Sequence, residues 1–172
     1  MIKDSDDCFE DLAKSYPELM EKSRISDMLG VDVGWFNIID SLCSCIYEPV
    51  SSAKNRLKAA TEYPRNDGGQ YLSECEERYK RALSELPAII DIKEKFAGLR
   101  FYTDTHSDRH ENFIQFAEMM SRCTCEKCGA PGELDTSSGW VKTHCKEHIT
   151  HPDFVGEFHH GRVSAKFQDN GI

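Results

Sequence analysis

No run of apolar residues in these 172 positions approaches the ~20 that a helix needs to cross a bilayer, so a helical membrane span is excluded. The N-terminus, MIKDSDDCFEDL, is acidic where a secretory signal would be basic and then apolar, which leaves a reducing cytoplasm as the expected compartment. Positive charge is scarce as well. Lys and Arg total 21 against 30 Asp and Glu, for a net charge of -9, a balance that argues against nonspecific binding to phosphate backbones over the whole surface. A phosphate-cradling glycine loop, a nucleophile elbow and a kinase-like motif set are all missing, and the expectation is a protein without catalytic activity.

The mean hydropathy of -0.57 and a length suited to one main core describe a solvated globular chain with room for a small metal-stapled appendage. Residues 1–40 hold ten acidic against four basic residues, so much of the negative charge sits at the N-terminal end. Eight cysteines are many for this length, yet Cys8, Cys43, Cys45 and Cys75 are scattered through helix-like sequence and read as free thiols in a reducing compartment.

Helical character over 9–23 is interrupted by Pro17, which either ends one short helix or opens another. From Trp35 to Leu57 apolar residues recur at three and four, the stripe of a helix that Pro49 should kink or split. The run 63–69 is a turn-rich loop, 70–86 is helical again, and Pro87 stops it. The period then becomes two. Ala88, Ile90 and Ile92 alternate with Ile89, Asp91 and Lys93, and Leu99 and Phe101 alternate with Arg100 and Tyr102, predicting an antiparallel hairpin near 88–103 packed on the preceding helices. Asp108 is the expected cap of a helix over 109–121. The predicted class is α+β: a helical domain with a hairpin over 1–122, a zinc ribbon or knuckle over 123–150, and a tail over 151–172.

The chemistry lies in CTCEKCGAPGELDTSSGWVKTHCKEH. Cys125 and Cys128 are separated by two residues, and Cys145 and His148 repeat that separation, so two close pairs can converge on one ion. Three thiolates and an imidazole suit zinc, which is borderline soft and has no geometric preference of its own. Four protein ligands close the shell, which makes the expected zinc structural. Gly129 and Gly132 allow the tight turn of a knuckle in which amides point at sulfur. Residues 143–149 are expected to form one helical turn presenting Cys145 and His148, and Trp140 to cap the site. Cys123, His144 and His151 lie close enough to compete as ligands.

Other groupings are weaker. Lys93, Lys95, Arg100 and Arg109, with Phe96 and Tyr102 between them, form a basic and aromatic set that would suit a nucleic-acid-binding regulator. His106 and His110 sit four apart, and the His159-His160 pair invites a metal-dependent nuclease as an alternative, without the acidic and asparagine companions such a site needs. With the module itself slightly acidic, the favoured function is protein–protein interaction.

Taken together, Tyr16-Pro17, VGWFNIIDSLC (33–43), KEKFAGLRFY (93–102), AEMMSRCTCEKCGAPG (117–132) and GWVKTHCKEH (139–148) resemble a family of small, uncharacterised proteins of tailed phages and prophages. Over roughly residues 16–148 the chain is similar to that family in its GWF-led helix, its KEKFGGLRFY-like hairpin and its CxxCGAPG…GWxxTxCxxH zinc element. Ala97 stands where the family has glycine, and Cys123 and His144 are also departures; the ligand set is intact. The resemblance implies a phage-encoded accessory protein in the host cytoplasm and supplies no activity. An acidic N-terminal portion fits a host-encoded protein target, with anti-defence as one such role.

Overall fold

A computed structural model of the chain describes residues 5–23, 25, 30–105, 107–137 and 139–149. Two short helices come first, α1 (Ser5–Ser15) and α2 (Pro17–Lys22). Pro17 occupies the first turn of α2, where its missing N–H costs nothing. A 3-10 turn at Val33–Trp35 leads into α3 (Phe36–Glu62), followed by α4 (Gln70–Glu85). Pro49 lies inside α3 without splitting it. Cys45, four residues back, loses the amide partner of its carbonyl but is exposed, so water can take that bond. Asp67 accepts from the Gly69 and Tyr71 amides at 3.0 and 3.2 Å and so starts α4.

Strands β1 (Ile89–Lys95) and β2 (Gly98–Thr103) form the antiparallel hairpin. Its two-residue turn is Phe96-Ala97, both at positive φ (52° and 58°), the geometry whose twist matches the strands. Strict alternation is not what the first strand does. A register shift between Ile89 and Asp91 turns Ile90 out to 44% exposure, while Ile89 and Ile92 are buried. The bulge inserts one residue, so the side chains before and after it face the core on a spacing of three.

Helix α5 (Asp108–Ser121) then crosses the hairpin and α3. Its cap is Ser107, whose hydroxyl accepts from the His110 amide, rather than Asp108. Asp108 instead lies in the first turn, where a carboxylate complements the helix dipole. Short strands β3 (Glu133–Asp135) and β4 (Lys142–His144) pair within the cysteine-rich segment. The main core gathers Leu12, Leu19, Trp35, Ile39, Ile46, Val50, Ile92, Leu99, Phe101 and Ile114 around α3 and the inner face of the hairpin. Cys8, Cys43 and Cys75 are buried thiols that form no disulfide, and Cys45 is an exposed one. No helix among the described residues is long and apolar enough to cross a membrane.

Candidate metal centre

The segment after α5 has few apolar side chains, and its order comes from tight backbone turns. The Gly129 amide donates to the Cys125 carbonyl at 2.9 Å and the Cys125 amide to the Ala130 carbonyl at 2.7 Å. Gly129 takes φ 77° to close this loop, a left-handed conformation that glycine adopts without a steric cost. The second ligand pair begins where β4 ends: the amides of His148 and Ile149 donate to the Cys145 carbonyl at 3.0 and 3.2 Å. That turn starts at Cys145, and residues 142–144 are strand rather than helix, because Glu133–Asp135 is there to pair with them.

These two turns bring together the ligand atoms of Cys125, Cys128, Cys145 and His148, all within 4.8 Å of one another. Cys128 Sγ and Cys145 Sγ are 3.7 Å apart. His148 Nδ1 is 3.5 Å from Cys125 Sγ and 3.2 Å from Cys145 Sγ. A tetrahedral zinc with its usual bond lengths sets sulfurs about 3.8 Å apart and a sulfur and a nitrogen about 3.5 Å apart. The four residues form a structural zinc site on that match.

Electrostatics agree at Cys125. Burial works to raise the Cys125 thiol, but the amides of Cys145, Cys128 and Lys127 outweigh it and hold the pKa down at about 7. The Ala130 amide pulls Cys128 down too, yet partial desolvation and the neighbouring Cys145 and Cys125 leave it raised. Amide donors that favour thiolate also favour a bound cation.

The neighbours proposed as rival ligands do other work. The Cys123 thiol points at the Met120 carbonyl, 3.2 Å away. His144 is buried with Nδ1 2.8 Å from Asp135 Oδ2, and its Nε2 lies 3.6 Å from Glu126 Oε1, beyond hydrogen-bond reach. Burial would raise the Asp135 carboxyl, but Ser137 and His144 bring it below the ordinary carboxylate value. His151, His106, His159 and His160 lie outside the described residues. Trp140 is no cap, since it is 80% exposed.

Sequence reasoning missed the joint that holds the module. Trp35, fully buried, donates its indole N–H to the Thr124 carbonyl at 2.7 Å, and the Gly34 amide donates to the Glu126 carbonyl at 2.8 Å. On the opposite side, Thr143 donates its hydroxyl to the Ala97 carbonyl at 2.7 Å, and Lys142 bridges Glu94 and Glu126 at 3.0 and 3.1 Å. Burial works to lower Lys142, but those two carboxylates raise it above its ordinary value. The available signal was the pair Gly34-Trp35 at the mouth of a helix, which periodicity assigns only to the helix stripe.

The basic set around the hairpin is divided. Lys93 pairs with Asp91, Arg100 with Glu118 at 3.3 Å and Arg109 with Glu48 at 3.3 Å. Lys93 lies over the Tyr102 ring and Lys95 over Phe96. Arg109 belongs to α5 and packs on Phe113 instead. Compared with protein-family models, curated proteins and solved structures, the chain matches none.

Proposed function

We propose that this is a non-catalytic, zinc-stabilised accessory protein of tailed-phage type, acting by contact with another protein, and that a host protein is its target. The completeness of the ligand set carries this reading: three thiolates and one imidazole fill a tetrahedron and leave no position for a substrate or an activated water. The metal then has a folding role, giving shape to a segment that lacks a core of its own.

Two exposed aromatics support a contact function. Trp140 and Phe96 are 80% and 74% exposed; Phe96 directly precedes Ala97 in the hairpin turn, and Trp140 stands three residues before Thr143. Large exposed aromatics are the residues that most often anchor protein interfaces. The phage assignment, and anti-defence as the setting, rest on the motif resemblance and on the acidic N-terminal portion.

Elemental analysis of the purified chain should find about one zinc per molecule, and Cys128→Ser should lose it. Affinity capture from host lysate should recover a partner that a Trp140→Ala, Phe96→Ala double variant fails to recover. Equal recovery by wild type and variant, or zinc retained after loss of Cys128, would count against the proposal.

A further inference from the structure

The four ligands of the metal centre differ in exposure. Cys125 and Cys145 are buried and His148 is half-buried, but Cys128 is exposed, so one sulfur of the set meets solvent. A metal-bound cysteine is deprotonated outright, and an accessible thiolate is the form that a peroxide attacks. Cys145 Sγ lies 3.7 Å from Cys128 Sγ, placed to react with whatever forms there. Closing that 3.7 Å gap to the ~2.0 Å of a disulfide is a move of about 1.7 Å shared between two rotating side chains.

We propose that Cys128 is an oxidation site, at which hydrogen peroxide opens the zinc centre and Cys145 completes the reaction. The Cys128 thiolate attacks the peroxide first: an S–O bond forms, the O–O bond breaks and hydroxide leaves, so that Cys128 becomes a sulfenic acid. The Cys145 thiolate then attacks the Cys128 sulfur, and an S–S bond forms as the S–O bond breaks and a second hydroxide departs. Both hydroxides take protons from solvent. The two thiolates thus give up two electrons, and one peroxide becomes two waters. A disulfide is a poor zinc ligand, and Cys125 with His148 supplies only half of a tetrahedral set, so the ion is released. The loss does not stay local. The Glu126 carbonyl accepts from the Gly34 amide and the Thr124 carbonyl from the Trp35 indole, so the segment that carries Cys128 also anchors the module beside α3. Peroxide therefore loosens this joint, and a thiol reductant with zinc restores it. The site depends on the metal centre and is independent of the contact function proposed above.

The test treats the zinc-loaded full chain with hydrogen peroxide and follows freed metal with a chromogenic chelator. Wild type should release about one zinc per chain, and peptide mapping should find Cys128 joined to Cys145. Dithiothreitol with added zinc should reverse both. Brief oxidation in the presence of dimedone, which traps sulfenic acids, should label Cys128 ahead of Cys125 and Cys145. Cys128→His offers a fourth zinc ligand without the exposed sulfur and should slow release at least about tenfold, whereas Cys123→Ser should leave the rate unchanged. Should the histidine variant bind no zinc, the labelling order in wild type decides alone. Zinc that stays bound while the exposed Cys45 is oxidised overturns the proposal. First labelling at Cys125 or Cys145, a disulfide that omits Cys128, or release from Cys128→His at the wild-type rate overturns it too. A chain that holds no zinc before oxidant is added overturns the metal centre itself, a result distinct from all of these.

Discussion

A methyl group added at Gly34 would sit 2.3 Å from the Cys125 carbonyl and 2.6 Å from the Cys128 amide. Those are backbone atoms of the first ligand turn and cannot rotate away, so the two segments must separate. Gly34→Ala is therefore expected to destabilise the fold by about 2–3 kcal/mol and to weaken zinc retention, both read from urea denaturation with and without added zinc. Phe96 presents the reverse case. It holds φ 52° while largely exposed, and a left-handed backbone costs an L-residue about 1–2 kcal/mol. Phe96→Gly should raise stability by roughly 0.5–1 kcal/mol, measurable as a higher melting temperature. Ala97→Gly gains less, because the Ala97 methyl is buried and its burial is lost. The sequence named the ligand residues by spacing alone, yet neither glycine contact nor turn strain is encoded in any local pattern.

Between elements, Glu18 ties three helices together. Its carboxylate, on α2, accepts from Lys54 on α3 at 2.6 Å, from Tyr79 on α4 at 3.0 Å, and from the Tyr47 hydroxyl. Burial would raise its pKa, but Lys54, Tyr47 and Tyr79 outweigh that and lower it from 4.5 to about 2. A folded pKa below the unfolded one means the unfolded chain takes up the proton first on acidification. The stabilisation is thus complete above about pH 4.5 and lost as pH falls towards 2. Glu18→Gln should lower stability at neutral pH and flatten the acid limb between those values, as seen in urea melts at pH 6, 4 and 3 (about one unit apart or more, to resolve the titration). The comparison with wild type removes the parallel effect of thiolate protonation at the metal. Helix spans were legible from the three-and-four spacing, whereas this junction was not: Glu18, Tyr47, Lys54 and Tyr79 each look like ordinary surface residues until the helices meet.

For the whole molecule, the metal segment and the helical core share a boundary rather than a linker. Trp35 belongs to the main core and at the same time bonds to Thr124, while Thr143 and Lys142 engage the hairpin from the other side. Removing zinc should consequently disturb more than the cysteine-rich segment. In a Trp140→Phe background, where Trp35 is the remaining tryptophan, a strong chelator should shift the emission to the red and lower the melting temperature, and zinc should reverse both. Unchanged Trp35 emission after complete metal removal would mean that the joint persists without the ion.

Local sequence determined the element order, the break at Pro17, the hairpin and the two ligand pairs, because each depends on residues a few positions apart. It set the Cys3His chemistry in the same way, through spacing that any compact turn would honour. Only the tertiary structure decided which isoleucines of the bulged strand face inward, that Ser107 caps α5, that Trp140 is exposed, and that His144 pairs with Asp135. Those outcomes depend on what lies opposite each side chain, and the groups that meet there are brought together by packing across the chain, which no short-range periodicity records.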